Sequence, residues 1–355
     1  KPTMQNLLRK LTKITQECMP KRVLLTGISG SIGTHTMIHI LHNTNWEVVG
    51  IMTGKHKGLV ERVTEMLREH TEYWPRVTLI THDLTQPITK KVEEQIGHID
   101  YIINLASLSD VEDSIQNPVP FIKSNVDIAI NMLEFARKSK PEVFIQFSTD
   151  EVYGPSGRDQ QHPEWSTILP SNPYSASKAS QEAIAIAYWR TYGVPVIITN
   201  TMNNFGEYQQ PQKYPVIIQR CLMNGDTLTI HGKEGDIGSR YYIHSRNASD
   251  ALLFIIKKLP PYKHQDGKID KPDRYNIVGD KQVDNLTLAQ TIAKLMKKPL
   301  KFEFVDFHAT RPGHDRHYGL TGTKLKKLGW KSPVDFETSL KNTIEWQLEH
   351  KDWIT

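Results

Sequence analysis

From Lys21 onward the chain alternates short apolar runs with longer stretches whose apolar residues recur at helical spacing. The runs Arg22 to Thr26, Glu47 to Met52, Val77 to Ile80, Tyr101 to Leu105, Val143 to Ser148 and Val196 to Thr199 read as strands. Helices are expected after Gly30 through His42, over 58–72, from Phe121 to Ser139 and from Pro173 to Tyr192. Apolar strands separated by helices predict an α/β fold, a Rossmann-like doubly wound parallel sheet covered on both faces. After residue 200 the rhythm breaks. Residues 203–237 are rich in Asn, Gln, Gly and Pro and read as loop. Ala248 to Lys258 reads as a helix and Arg274 to Val278 as a strand, both returning to the main sheet, with another helix from Leu286 to Met296. Phe336, Leu340, Ile344 and Leu348 mark a terminal amphipathic helix. The expected division is an N-terminal extension (1–20), a large domain (21–202, with 238–280 returning to it) and a smaller, loop-rich α/β C-terminal lobe (203–237 and 281–355).

Composition narrows the class. The length of 355 residues allows a large core, and the net charge of +5 is spread along the chain, so no nucleic-acid footprint is expected. No apolar run approaches the roughly 18 residues of a membrane span. The extension has Met4, Leu7, Leu8, Leu11 and Ile14 at helical spacing among Arg9, Lys10 and Lys13. It reads as a helix packing on its own or a partner subunit, or as a targeting or surface-anchoring segment. The two cysteines, Cys18 and Cys221, are far apart, which excludes a disulfide framework and fits a reducing, cytoplasmic setting. The histidines suggest no cluster with ligand-like spacing, and no metal is expected.

Gly27-Ile28-Ser29-Gly30-Ser31-Ile32-Gly33 follows the first strand and opens a helix. Glycines there allow a tight turn and let the backbone of Gly27, Gly30, Ser31, Ile32 and Gly33 approach a pyrophosphate at the positive helix end. The large domain therefore reads as dinucleotide-binding. The second strand ends at Met52-Thr53 without the Asp or Glu that would hold an NAD ribose, and Lys55, His56 and Lys57 follow. Missing acid and nearby cations favour NADP; a merely solvated basic loop would leave NAD. Asp83 and Leu84, after the third strand, are placed near the adenine. Asn104, Leu105, Ala106 and Ser107, after the fourth, are placed along the phosphates and nicotinamide ribose.

The fifth strand delivers Ser148-Thr149-Asp150-Glu151-Val152-Tyr153-Gly154 to its carboxyl end, where open α/β sheets place ligands. Tyr174 and Lys178 stand four apart on one helix face. An ammonium beside a phenol favours the phenolate, so Tyr174 is a candidate base. A base for a hydroxyl plus two adjacent carboxyl groups implies more than hydride transfer.

These residues resemble the extended short-chain dehydrogenase/reductases, specifically nucleotide-sugar 4,6-dehydratases of the dTDP-glucose 4,6-dehydratase type. The resemblance runs from about Lys21 to Trp346 and includes Thr199-Asn200-Thr201-Met202-Asn203-Asn204-Phe205-Gly206 and Arg311-Pro312-Gly313-His314-Asp315-Arg316. It implies that Tyr174, supported by Lys178 and Thr149, takes a proton from the C4 hydroxyl, that Glu151 takes the C5 proton, and that protonated Asp150 releases the C6 hydroxyl. It also implies a tightly bound, recycled cofactor, NADP or NAD. Ser107, Asn203, Asn204, His231, Arg240, Asn276, Arg311 and His314 are the implied substrate contacts. Met202, His231, Tyr241-Tyr242 and the stretch Ser107 to Asp113 depart from the family pattern around the substrate. A homodimer through a four-helix bundle of 121–139 and 174–192 is implied, using Phe121, Ile128, Met132, Phe135, Ala183, Ile184, Ala187 and Tyr188. Alternatives are a 5,6-dehydratase or epimerase of the same superfamily, or a retired nucleotide-binding sensor.

Overall fold

The computed structural model describes residues 19–54, 59–157, 159–264, 270–306 and 316–354. The expected N-terminal helix, Lys55, His56, Lys57, Arg311 and His314 lie outside the described residues. Among them the chain runs β1 (Arg22–Thr26), α1 (Ser31–Asn43), β2 (Glu47–Met52), α2 (Leu59–Glu69), β3 (Val77–Thr81) and α3 (Lys90–Ile96). It continues β4 (Tyr101–Asn104), α4 (Val111–Gln116), α5 (Pro118–Ser139), β5 (Val143–Thr149), α6 (Pro173–Tyr192) and β6 (Val196–Thr201). Then come β7 (Asn203–Phe205), α7 (Tyr214–Asn224), β8 (Thr227–Lys233), β9 (Asp236–Ile237), β10 (Ser239–His244) and α8 (Ser245–Lys258). The last elements are β11 (Asp273–Ile277), β12 (Gln282–Asp284), α9 (Asn285–Met296), β13 (Lys301–Val305), α10 (Thr323–Lys327) and α11 (Phe336–Glu349).

Seven strands form one sheet in the order β11-β6-β5-β4-β1-β2-β3, every pair parallel. The alternating faces of each strand explain the continuous apolar runs. Val23, Leu25, Ile103 and Ile145 pack beneath α1 and α8, whereas Leu24, Val49, Ile102 and Phe144 pack beneath α5 and α6. Chain order reverses about β1, which lies between β2 and β4, and a crevice at the strands' carboxyl ends is where such sheets bind ligands.

The stretch 203–237 is more ordered than its composition suggests. Pro215 sits in the first turn of α7, where its missing N–H is harmless, and Leu228 and Ile230 alternate inward on β8. With Ile218, Leu222, Leu288, Ile292, Leu340 and Ile344 they build a separate core. Two three-stranded sheets, β12-β10-β7 and β13-β8-β9, frame it. Phe121, Ile128, Met132 and Phe135 of α5 are buried within this chain, so they are core rather than an interface. Ala183 and Ala187 of α6 are exposed, and Ile184 and Tyr188 half-buried. Among the described residues no helix is long and apolar enough to cross a membrane.

The helix that carries Tyr174 has a complete start and stop. Asn172 and Ser175 form a reciprocal capping box, Pro173 begins the helix, and Gly193 ends it in the left-handed region at φ 69°. Behind the site, Arg274 Nη2 and Glu182 Oε2 form a fully buried ion pair at 2.8 Å.

Candidate active site

The glycine turn is a steric necessity. Gly27 has φ +65°, and a Cβ there would stand 3.0 Å from Ala106 Cα. A Cβ on Gly33 would stand 2.2 Å from the Gly27 carbonyl oxygen. Gly30 caps α1 without any side-chain acceptor, so the first-turn N–H groups stay available. The Ser31 hydroxyl is buried with no protein partner. An uncapped helix start, a backbone a Cβ would block and an orphaned hydroxyl together fit a pyrophosphate group.

A buried polar ladder runs from this turn across the sheet. The Thr26 hydroxyl accepts the Ala106 N–H at 3.0 Å and donates to Asn104 Oδ1 at 2.7 Å. Asn104 Nδ2 donates to Gln146 Oε1, and Gln146 Nε2 to Gln181 Oε1, both at 3.0 Å. Lys178 Nζ completes it, donating to Gln181 Oε1 and to the Phe147 carbonyl at 2.7 Å each. Ser177 and the Leu108 backbone are tied to the same place through Asn125.

At the end of β5, Thr149 caps a short 3-10 turn that holds Asp150 and Glu151. The Thr149 hydroxyl donates to Asp150 Oδ1 at 3.0 Å, and Asp150 Oδ2 is buried without a protein partner. Burial and then the Glu151 charge push the Asp150 carboxyl up to about 7, against the opposing pull of Thr149 and Arg240. Glu151 Oε2 accepts from Asn172 Nδ2 at 3.2 Å and from the Tyr318 hydroxyl at 3.3 Å. Tyr174 lies in the same cluster. Its backbone N–H is held by the Ser114 hydroxyl at 3.1 Å, and its phenol is hydrogen-bonded to Thr149.

The electrostatics correct one expectation. Burial, followed by the Glu151 charge, pushes the Tyr174 phenol well above its ordinary value, with Thr149 pulling it down. Burial also pushes Lys178 down to about 7, against the attraction of Glu182. Lys178 is therefore a half-charged donor committed to backbone and amide oxygens, and it does not by itself lower the Tyr174 pKa. Desolvation outweighs the single ammonium that the spacing brought into view.

The remaining sequence candidates divide. Arg240 lies near Asp150, its guanidinium 4.5 Å over the Tyr318 ring and its Nη1 on the Ser239 carbonyl at 2.8 Å. Asn203 is exposed, whereas Asn204 Nδ2 holds the Met202 carbonyl at 2.9 Å. Ser107 and Thr53 are half-buried at the ends of β4 and β2, and Leu105 packs on the core. Asp83 closes its own turn, accepting from the Thr85 N–H and hydroxyl, and the buried Leu84 gives its carbonyl to Asn131. His231 sits on β8 opposite Val305. Asn276 does not fit a substrate contact, because its amide donates to the His162 and Thr321 carbonyls at 3.1 and 3.2 Å.

Several supporting residues escaped the sequence reading. Asn200 Nδ2 holds the Thr149 carbonyl at 3.0 Å and Glu182 Oε1 at 2.8 Å. Its signal was a polar residue ending the apolar run of β6. Tyr318 lies in an irregular segment and had no periodic signal. The absence of a ligand-like His cluster does not hold either. His35 and His39 stand four apart on α1, and His35, Glu207 and His244 bring donor atoms within 4.8 Å of one another.

A family profile described as GDP-mannose 4,6 dehydratase matches residues 24–343. A dTDP-glucose 4,6-dehydratase of Shigella flexneri is 32% identical over 362 aligned positions, covering 94% of each chain. A probable dTDP-glucose 4,6-dehydratase of Sinorhizobium fredii is likewise 32% identical over 94% of each. Among solved structures, DesIV from Streptomyces venezuelae, a dTDP-glucose 4,6-dehydratase with NAD and TYD bound, aligns with a TM-score of 0.81 at 26% identity, covering 94% of this chain and 98% of its own. A UDP-glucuronic acid 4-epimerase from Bacillus cereus aligns at TM-score 0.80 and 21% identity, covering 93% and 99%, a likeness of fold.

The raised Asp150 pKa makes stability depend on pH. Its unfolded value is about 3.9, so the contribution of the folded, protonated acid is fully present below that and lost as pH rises through about 7. Asp150→Asn removes this loss. Thermal denaturation should show the variant gaining on the native protein by roughly 2–4 kcal/mol between pH 4 and 8. A difference that stays flat with pH would mean that Asp150 is an ordinary ionised carboxylate.

Proposed function

The chain belongs to the GDP-mannose 4,6-dehydratase family, and from that premise we propose that it is a nucleotide-sugar 4,6-dehydratase, a hydro-lyase acting on dTDP-glucose or a UDP-sugar. The product is the 4-keto-6-deoxy sugar and water. The observation that carries this reading is the pair Asp150 and Glu151, one carboxyl pushed up to about 7 by burial and by its neighbour's charge, both beside Tyr174.

Tyr174 acts as its phenolate and takes the C4 hydroxyl proton, with the Thr149 hydroxyl turned from Asp150 to the phenol to stabilise that charge. Glu151, steadied by Asn172 and Tyr318, takes the C5 proton once C4 is a ketone. Asp150 donates its proton to the departing C6 hydroxyl, a role for which an acid near 7 is suited. A bound nicotinamide dinucleotide would supply a hydride acceptor for C4, a hydride donor for C6 and, while oxidised, a positive charge that favours the phenolate. Gly27, Gly30, Ser31, Ile32 and Gly33 would hold its pyrophosphate, while Lys178 and the ladder behind it would order the ribose end. Arg240, near Asp150, would meet the substrate phosphates, and Ser107, Asn203 and His231 would contact the sugar and base. The solved relatives' NAD supports a nicotinamide dinucleotide, and the acid missing after β2 supports NADP. Exposed Ala183 and Ala187 on α6 and exposed Ile130 on α5 support a homodimer through these helices. The two cysteines, Cys18 and Cys221, far apart in the sequence, support a cytoplasmic placement.

Two experiments test this reading. In deuterated solvent the native protein should incorporate label at C5 of a product lighter by one water. Tyr174→Phe should slow the first oxidation about 100- to 10,000-fold. Glu151→Gln should accumulate reduced cofactor and wash in no label, whereas Asp150→Asn should still exchange C5 but expel the hydroxyl slowly. Normal exchange in Glu151→Gln with none in Asp150→Asn would reverse the two roles. An isomer of unchanged mass and without solvent label would indicate a C4 epimerase, and no turnover of any nucleotide sugar a sensor. Native mass spectrometry of the purified protein addresses cofactor and assembly together. Two chains retaining two NADP are expected; NAD alone would make the basic loop incidental, and a lone chain would refute the dimer.

A further inference from the structure

The segment Phe205-Gly206-Glu207-Tyr208 leaves β7 and passes against two histidine rings that meet edge to face, His35 of α1 and His244 at the end of β10, with centroids 5.5 Å apart. A Cβ on Gly206 would stand 3.2 Å from His35 Nε2 and 3.3 Å from His244 Nε2, so the close passage suits a residue without one. Glu207 Oε2 lies 3.0 Å from Nε2 of both rings. The outer nitrogens assign the protons. His244 Nδ1 accepts the Arg246 N–H at 3.0 Å, so its proton sits on Nε2 and points at Glu207. His35 Nδ1 faces the Ser31 carbonyl at 2.8 Å and must carry a proton there, so its bond to Glu207 requires a second proton on Nε2 and pairs an imidazolium with the carboxylate. Burial opposes ionisation of Glu207, yet hydrogen bonds from His244 and His35 outweigh it and hold the carboxyl well below its usual range. A metal ion is a poor occupant, since His244 would have to offer an Nε2 that already carries its proton.

What this cluster grips is the glycine turn. His35 holds the Ser31 carbonyl, and Arg62, donating to the Tyr208 carbonyl at 2.7 Å, holds the Ser29 carbonyl at 2.5 Å. Peptide groups are planar and trans, so fixing these two carbonyls fixes the N–H groups of Gly30 and Ile32 on their opposite sides. The Ile32 N–H is among the α1 donors that have no partner within the helix. Nearby charges are spoken for. Asp250 faces His39 and Trp330, and Arg246 donates to Asn247 and Ser339.

We propose that Glu207 is a positioning residue for the dinucleotide, bracing His35 and hence the pyrophosphate-binding turn against the strand end that carries His244. This rests on the dinucleotide reading above. The test uses the holoenzyme: exchange of bound dinucleotide for an isotopically heavy copy, followed by mass spectrometry. Glu207→Gln and His35→Gln should each speed exchange about 10- to 100-fold, as expected on losing a hydrogen bond to a charged group. The double variant should exceed the faster single by no more than about threefold, because both break one linkage. His35→Asn, which keeps a donor near Ser31 but is too short for Glu207, should also exchange fast and covers the case in which Glu207→Gln does not fold. The turnover number at saturating dinucleotide should fall far less than exchange rises. Unchanged exchange, additive effects, or a loss of melting temperature and turnover without faster exchange would each overturn the proposal. So would stoichiometric zinc on the native cluster. A native protein that retains no dinucleotide would instead sink the cofactor reading itself.

Discussion

A fully buried ion pair between Arg274 and Glu182, 2.8 Å apart, lies behind the strand end on which the site is built. Such a pair is costly to desolvate, and Arg274 Nε stays buried without a partner, so the other contacts of the pair must offset that cost. Here Arg274 Nη1 donates to the Tyr153 hydroxyl and to Asn200 Oδ1, and the guanidinium lies 4.3 Å over the Trp165 ring. Glu182 Oε1 accepts from Asn200, whose amide also holds the Thr149 carbonyl. The carboxyl end of β5 is thereby pinned from below by groups that have no contact with solvent. Thr149, Asp150 and Glu151 leave that end at one fixed angle, facing Tyr174.

Burial then sets the charges. The same dry environment pushes Asp150 up, Lys178 down and the Tyr174 phenol up, each towards its neutral form. Neighbouring groups tune these shifts without reversing them. The outcome is an acid, a lysine and a phenol, each biased towards its neutral form, gathered beside Glu151. That division of labour suits an elimination, in which one carboxyl must give a proton while its neighbour takes one. The polar ladder links the glycine turn, proposed to hold the dinucleotide, to Lys178 at these strand ends.

Much of this was legible in the sequence because one physical rule dominates it. Strands buried on both faces are apolar throughout, and β1, β2 and α6 appear with the bounds their runs implied. The turn from Gly27 to Gly33 was readable because backbone approach admits no Cβ. Legibility failed where a second core, rather than periodicity, orders the chain. Leu228 and Ile230 are isolated apolar residues in a polar stretch, and only the packing of α7, α9 and α11 shows why they are buried. The pKa of Tyr174 failed for a related reason. Spacing brings Lys178 to the same face, but the extent of desolvation depends on the whole fold. Glu207 and His244 were silent because their partner, His35, lies far away in sequence.

Asp150 is a carboxylic acid near neutrality, held so by burial and by the charge of its neighbour Glu151. Infrared difference spectra of protein with isotopically labelled aspartate, with Asp150→Asn as the subtraction control, observe that proton directly. A protonated carboxyl band that belongs to Asp150 and vanishes with a midpoint near pH 7 is the predicted result. A band already absent at pH 6, with a midpoint near the ordinary value of about 4, would contradict the account.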